Sequence, residues 1–288
     1  MKKKITHKKS SDIQKMPVLT EREIHLRKFF PNAITMTALA FGVSSLNMSF
    51  WGRWDMAVIF ICLAAVFDFL DGGVARLLHV ESKFGAQLDS LSDFVSFGVA
   101  PGFLMYQWTM DHDTRIAVLQ NVAFKSDAVG IYWGVALFLA MCSAMRLARF
   151  NSMLDAEQPQ APYWKNFFMG VPAPAGAGLA ILPLILSMAT NDYVTFFRSP
   201  IFVSFFLVLS GVMMASRIPT ICLKHIHFPE NIMIYVRIAS LFILACLLTF
   251  PWIALSAIGV AYVVSIPFGI GYFNSLKTDY ETKQGRSK

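Results

Sequence analysis

Charged residues are scarce in this sequence. They make up 15% of its 288 residues, whereas 56% of the residues are hydrophobic, among them 26 phenylalanines and 15 methionines. A soluble domain of this length usually carries about 25% charged residues. The composition therefore excludes an ordinary soluble domain and predicts an integral membrane protein.

Cysteine is also rare, and its spacing is not that of a disulfide framework or a metal motif. The four cysteines, Cys62, Cys142, Cys222 and Cys246, lie in or beside apolar runs, and none forms a CxxC pair. The six histidines have no ligand spacing either. Neither disulfides nor a zinc site is predicted, and we interpret the cysteines as small packing residues.

Long apolar runs occupy most of the chain. Eight segments have the roughly 17 to 25 residues that a helix needs to cross a hydrocarbon core of about 30 Å. They lie near residues 32–50, 55–77, 86–108, 129–150, 170–189, 199–216, 231–250 and 252–274. We therefore predict an all-α fold with about eight transmembrane helices. The last two are joined only by Phe250-Pro251-Trp252, which predicts a hairpin.

The segment before the first apolar run is polar and basic. Residues 1–16 contain Lys2, Lys3, Lys4, Lys8 and Lys9, and they lack the apolar core of a signal peptide. A cytosolic tail attracted to anionic lipids is expected. Residues 20–30 favour a short amphipathic helix at the membrane surface, and Pro31 is expected to end it.

The distribution of basic residues predicts the orientation. An even number of spans places both termini on one side, together with residues 76–85, 146–168 and 216–237. Only four of the 25 Lys and Arg residues then fall on the other side, namely Arg53, Arg115, Lys125 and Arg198. Because cytoplasmic loops are enriched in Lys and Arg, the termini are predicted to face the cytosol.

Four aspartates lie where the second apolar run ends and the third begins. An aspartate at the centre of a membrane helix costs on the order of 3 kcal/mol, so acids at this depth usually have a function. If both runs are helical, Asp68 and Asp71 share one helix face, and Asp89 and Asp93 share another. Apposed, these charges would repel one another unless divalent cations lay between them. The pattern predicts a cation site.

Small residues and an arginine accompany the acids. Gly72 and Ala75 follow the first pair, and Gly85 precedes the second, so that a ligand can approach the backbone closely. Arg76 supplies the forked donors that suit a phosphate. Together these residues indicate a ligand that contains phosphate.

This stretch resembles the motif of the CDP-alcohol phosphotransferase family. The family pattern is D-x-x-D-G-x-x-A-R, eight further residues, and G-x-x-x-D-x-x-x-D, and the segment from Asp68 to Asp93 matches it without departure. The resemblance implies that Mg²⁺ or Mn²⁺ is held by Asp68, Asp71, Asp89 and Asp93, and that Asp93 is also the catalytic base. It implies a CDP-lipid bound by Gly72, Ala75, Arg76, Ser82, Gly85, Asn32 and Thr35.

Further segments resemble one class within this family, the membrane-integral bacterial CDP-diacylglycerol–serine O-phosphatidyltransferases. These segments are LDSLSDFVSFGVAP, MRLARFN and GVPAPAGA, and the resemblance covers roughly residues 30–216. It implies a six-helix catalytic core at 31–216. This core follows the basic tail and interfacial helix at 1–30 and precedes a transmembrane hairpin and cytosolic tail at 217–288.

The same resemblance implies an activity and its partners. The phosphatidyl group of CDP-diacylglycerol is expected to pass to the hydroxyl of L-serine, which gives phosphatidylserine and CMP. The expected setting is a homodimer among the lipids of the bacterial cytoplasmic membrane, with its active site on the cytosolic side and no nucleic-acid partner.

Other interpretations remain open for several of these residues. Asn32 and Thr35 can equally be an N-cap and a hydroxyl bonded to its own helix. Arg146 and Arg149, near the end of the fourth run, can bind an anionic group of the acceptor or a lipid phosphate, or can extend to lipid headgroups.

The function has two alternatives. Within the family, the acceptor can be glycerol 3-phosphate, inositol phosphate or choline. Outside it, the four aspartates can form the ion site of a cation transporter, although they lie at a membrane edge rather than at the midplane, where transport sites lie. Release of CMP by the purified protein separates an enzyme from a transporter.

Overall fold

The computed structural model describes residues 21–78, 80, 82–110, 126–155, 164, 167–190, 193–221 and 230–285, and most of these residues are helical. The first helices are α1 (Glu21–Phe50), α2 (Trp54–Leu78), α3 (Lys83–Asp93) and α4 (Ala100–Thr109), with a π-helical turn, Phe94–Val99, between α3 and α4. They are followed by α5 (Ser126–Asp155), α6 (Ala173–Thr190), the short α7 (Val194–Phe197), α8 (Pro200–Ala215), α9 (Glu230–Thr249) and α10 (Pro251–Gly285). The predicted all-α class is confirmed.

One small sheet was not predicted. Its strands, β1 (Phe167–Met169) and β2 (Pro219–Ile221), pair in antiparallel fashion. Gly170 follows β1 with a left-handed φ of 79°, and a Cβ there would lie 2.8 Å from the Ser216 carbonyl oxygen. Both facts require glycine at this position. The pair joins the segment before α6 to the segment after α8.

Five of the described helices are long and apolar enough to cross a membrane. Their apolar segments are Phe29–Phe50, Trp54–Leu78, Gly130–Ser152, Ala173–Thr190 and Pro251–Thr282. Pro200–Ala215 and Met233–Thr249 are apolar but shorter, and the predicted third span is divided into α3, the π-turn and α4. The molecule is an integral membrane protein, and the exact number of crossings stays a prediction.

The predicted helix end at Pro31 is wrong. Helix α1 continues from Glu21 to Phe50 with Pro31 inside it. Proline removes one backbone donor, at a cost of about 3 kcal/mol in a helix interior, but membrane helices tolerate it where neighbouring groups compensate. The interfacial position of residues 21–30 therefore stays a prediction, and the basic tail at 1–16 lies outside the described residues.

Small residues let α1 and α5 pack closely on the α3–α4 segment. A Cβ added at Gly42 in α1 would overlap the π-turn. A Cβ at Gly98 would come within 2.9 Å of Ser143 in α5, and one at Gly102 within 2.9 Å of the Ala136 backbone oxygen. Helices in a membrane associate mainly through such close packing, because lipid is as apolar as the side chains. These contacts position the end of α3 and its aspartates.

The two last helices are packed unequally. Helix α10 packs against α6 and β2 and contacts α9. The side chains of α9 that the structure describes are exposed or half-buried, and none contributes to the core. The core itself is formed by the inner faces of α2, the π-turn, α4, α5, α6 and α8. Only α10 of the final helix pair thus takes part in the main bundle.

We expect Gly102→Ala to lower the thermal unfolding midpoint of the detergent-purified protein. The new Cβ would meet the Ala136 backbone oxygen at 2.9 Å, and overpacking of this kind costs about 1–3 kcal/mol. The control is Gly134→Ala in α5, where no atom lies within 4 Å of the added Cβ and alanine favours the helix by about 1 kcal/mol. An unchanged midpoint for Gly102→Ala would contradict the close packing of α4 on α5.

Candidate active site

Three of the four aspartates come together between α2 and α3. One carboxylate oxygen from each of Asp68, Asp71 and Asp89 lies within 4.8 Å of the others. Asp71 is buried, and the other two are half-buried. Carboxylate oxygens are the ligands that hard divalent cations prefer. The residues therefore fit the predicted cation site.

Asp93 lies beside this group, one turn after Asp89 on α3. Its carboxyl and that of Asp89 both interact electrostatically with Asp68. Asp93 Oδ1 is buried and has no hydrogen-bond partner among the described residues. The π-helical turn begins at the next residue, and such turns are frequent at functional sites. Asp93 thus borders the three-carboxylate group and keeps one buried oxygen unpaired.

A cavity of about 250 Å³ opens beside the acids. It is lined by Pro31, Asn32, Thr35, Asp71, Gly72, Ala75, Arg76, Val80, Ser82, Gly85, Ala86 and Asp89. Every residue that the sequence assigned to the CDP-lipid is in this lining. The structure therefore brings these residues from α1, α2 and α3 to one place, next to the carboxylates.

Thr35 connects α1 to the acidic group. Its hydroxyl donates to Asp71 Oδ2 at 2.6 Å and also lies 3.0 Å from the Pro31 carbonyl oxygen. Thr35 therefore lies at the acids, and its assignment to the CDP-lipid stays a prediction. A donor to one carboxylate oxygen orients the group and leaves the other oxygen for a cation.

Ser82 and Gly85 shape the wall formed by the start of α3. Ser82 is the N-cap residue, and its Oγ accepts a hydrogen bond from the Gly85 backbone at 3.0 Å. A Cβ added at Gly85 would lie 3.1 Å from both Ser82 Oγ and Asn32 Oδ1. A side chain at this position would therefore press on two polar groups of the lining. The capping role of Ser82 was not predicted.

The two arginines of α5 lie in different surroundings. The Arg146 guanidinium interacts electrostatically with Asp93 and Asp68, and its Nε is buried without a hydrogen-bond partner in the described part of the chain. Arg149 instead donates from Nη1 to the Ala215 carbonyl oxygen at 2.7 Å, where a cation satisfies the C-terminus of α8. Arg146 belongs to the surroundings of the acids, whereas Arg149 holds two helices together.

A further residue near Arg146 was missed. Tyr262 in α10 lies within electrostatic range of Arg146, and its hydroxyl is buried with no hydrogen-bond partner among the residues that the structure describes. In the sequence it is one aromatic residue within a long apolar run, far from the aspartate motif. No local signal distinguishes it from a lipid-facing tyrosine.

The fold and the site together define a class of protein. The molecule is a predominantly helical membrane protein in which one buried and two half-buried carboxylates can hold a divalent cation beside a cavity. The family model described as CDP-alcohol phosphatidyltransferase matches residues 28–267. The chain belongs to this family, and the match extends through α9 into α10.

Several relatives share one name, CDP-diacylglycerol–serine O-phosphatidyltransferase. The relative from Mycobacterium leprae is 31% identical over 255 residues, which cover 87% of this chain and 77% of the relative. The relative from Helicobacter pylori is 32% identical over 189 residues, or 66% of this chain and 70% of the relative. The relative from Methanocaldococcus jannaschii is 34% identical over 183 residues, or 63% and 69% of the two chains.

Asp89→Asn is expected to abolish stabilisation of the purified protein by Mg²⁺ or Mn²⁺. The wild-type unfolding midpoint should rise with ion concentration because the ion binds the folded state alone, and Asp89 supplies one of the three carboxylates. The matched control is Asp55→Asn, which changes an exposed acid at the opposite end of α2 from Asp68 and Asp71. Full ion stabilisation of the Asp89 variant would contradict this site.

Proposed function

We propose that this protein transfers the phosphatidyl group of CDP-diacylglycerol to the hydroxyl of L-serine, with phosphatidylserine and CMP as products. The observation that supports the proposal is the group of three carboxylates beside the cavity. Two of them, Asp71 and Asp89, line this cavity, and so do all the residues that are predicted to bind the CDP-lipid. The names of the relatives support serine as the acceptor.

The proposed reaction is a direct displacement at the phosphorus that carries diacylglycerol. The serine oxygen forms a bond to this phosphorus, and the bond to the CMP oxygen breaks. Asp68, Asp71 and Asp89 would hold Mg²⁺ or Mn²⁺, which would neutralise charge on the diphosphate oxygens. Because serine itself is the nucleophile, no covalent intermediate with the protein is needed.

Asp93 is the proposed base. The attacking hydroxyl must lose a proton, and a base must lie within hydrogen-bonding distance of it. Asp93 Oδ1 is buried and has no hydrogen-bond partner in the part of the chain that the structure describes, so it can accept that proton. The family resemblance also counts Asp93 among the metal ligands, and its position beside Asp68 is compatible with both roles.

The cavity is the proposed site of the CDP group. Arg76 is exposed at its rim and can donate two hydrogen bonds to a phosphate. Asn32, Thr35 and Ser82 supply polar groups, whereas Gly72, Ala75 and Gly85 leave room for the ligand to approach the backbone.

The arginines favour serine over a phosphorylated acceptor. A phosphate dianion calls for more than one cation, and the sequence alone allowed Arg146 and Arg149 to supply two. Arg149 is instead hydrogen-bonded to the end of α8. Arg146 then remains as the cation next to Asp93 among the described residues, and a single guanidinium suits one carboxylate.

The proposed setting is the bacterial cytoplasmic membrane, with the active site and both termini on the cytosolic side. The four basic residues assigned to the outer side support this orientation. Sealed inside-out vesicles should therefore release CMP into the medium when serine is supplied from outside, and right-side-out vesicles should not. The proposed assembly is a homodimer, and crosslinking in native membranes that yields monomer alone would count against it.

Purified protein given CDP-diacylglycerol should form CMP and phosphatidylserine with L-serine, and little lipid product with glycerol 3-phosphate, inositol phosphate or choline. The measurement is separation of the labelled lipid products, together with CMP release. EDTA should stop the reaction, and Mg²⁺ or Mn²⁺ should restore it. A different lipid product would show that another alcohol is the acceptor, and a complete lack of CMP release would overturn the proposal that the protein is an enzyme.

Asp93→Asn is expected to lose turnover but to keep much of its affinity for the CDP-lipid. A base acts on the acceptor hydroxyl in the transition state, whereas the metal ligands are already engaged in the ground-state complex. Asp68→Asn should therefore lose both turnover and CDP-lipid binding. The measurements are equilibrium binding of a CDP-lipid and the initial rate with serine. Substantial turnover by the Asp93 variant at neutral pH would remove Asp93 from the base role.

A further inference from the structure

We infer that α10 completes the acceptor site, where the Tyr262 hydroxyl and the Arg146 guanidinium together bind the carboxylate of the amino-acid acceptor. The inference rests on the proposed function, because it names the groups that select serine at the same site. It assigns a role to the last helix, which carries none of the motif residues.

Three unpaired polar atoms carry the inference. Asp93 Oδ1, Arg146 Nε and Tyr262 Oη are each buried and have no hydrogen-bond partner among the described residues. They come from three different helices, α3, α5 and α10. Arg146 lies within electrostatic range of both Asp93 and Tyr262, so the three side chains lie in one region of the protein. Unpaired buried polar atoms are costly and rare in native proteins, and three in one group indicate a polar ligand.

The position of Tyr262 on α10 directs its side chain into the protein. The buried and half-buried face of this helix includes Ser256, Gly259, Tyr262, Ile266 and Phe273, whose spacing is that of one helix face. A Cβ added at Gly259 would lie 2.6 Å from Leu182 in α6, so the two helices approach closely one turn before Tyr262. Tyr262 also packs against the main hydrophobic core.

The chemistry of the group matches a hydroxy amino acid. Asp93 can accept the proton of the acceptor hydroxyl. The guanidinium of Arg146 and the phenol of Tyr262 are both donors, and an acceptor carboxylate can take hydrogen bonds from both. An amino alcohol without the carboxylate would leave these donors unpaired. A site built to pair a polar group discriminates strongly against an analogue that lacks it.

The alternative is a purely structural role, in which Tyr262 serves only to pack α10 against the core. Phenylalanine would fill that role equally well. Because the hydroxyl has no hydrogen-bond partner among the described residues, its removal should not lower the stability of the ligand-free protein. Any loss on Tyr262→Phe should therefore be confined to the acceptor.

The test is Tyr262→Phe, assayed with L-serine and with L-serinamide, which keeps the hydroxyl and the amine but lacks the carboxylate. We expect KM for L-serine to rise about 10-fold or more, as the loss of one hydrogen bond to a charged group predicts. The CDP-lipid affinity and the thermal unfolding midpoint should be unchanged. Serinamide should be a poor substrate of the wild type, and the variant should lose little further activity with it.

The matched control is Tyr272→Phe, which removes a hydroxyl from the same helix at a residue that is 56% exposed, and its KM for serine should equal that of the wild type. An unchanged serine KM in Tyr262→Phe, or an equal loss with serine and serinamide, would overturn the inference. If serinamide gives no measurable product with the wild type, the KM of the Tyr262→Phe variant for serine is the deciding measurement. Should the variant unfold, Arg146→Lys gives the second measurement, with the same expected rise in serine KM. A wild-type enzyme that forms no phosphatidylserine would overturn the proposed function itself.

Discussion

Electrostatic repulsion between carboxylates inside a membrane protein is the constraint on which the site depends. One carboxylate oxygen from each of Asp68, Asp71 and Asp89 lies within 4.8 Å of the others, so their negative charges repel one another strongly. A bound divalent cation changes this repulsion into attraction. The fold must therefore hold the carboxylates together in the absence of the ion, and the contacts around them serve that purpose. Thr35 fixes Asp71 from α1, and Ser82 caps the helix that carries Asp89.

Close helix packing provides the rigidity that this arrangement needs. Lipid gives little hydrophobic driving force for the association of helices, so small residues at the crossings carry much of the packing. Gly42, Gly98 and Gly102 bring α1 and α5 against the segment that contains Asp93 and the π-turn. Close helix packing thus holds the acids in place, which suits a site that needs a fixed geometry.

The outer part of the molecule is built differently. The described side chains of α9 are exposed or half-buried and mostly apolar, whereas α10 packs against α6, where a Cβ at Gly259 would lie 2.6 Å from Leu182. The family match continues to residue 267 and so includes the part of α10 that carries Tyr262. The C-terminal pair of helices is therefore not a uniform addition, since one member lies on the core and reaches the surroundings of Arg146.

Residues that are close together in the sequence determine much of the fold and of the site. The length of the apolar runs predicts the helical membrane fold, and the fixed spacing from Asp68 to Asp93 identifies the acids and the α2 and α3 residues that line the cavity, because those properties depend on neighbours in sequence. Tertiary structure alone decided the rest. It kept α1 continuous through Pro31, separated Arg146 from Arg149, and brought Tyr262 close to Arg146. These outcomes depend on which helices touch, and contacts between segments distant in sequence leave no periodic or local pattern by which the chain alone can reveal them.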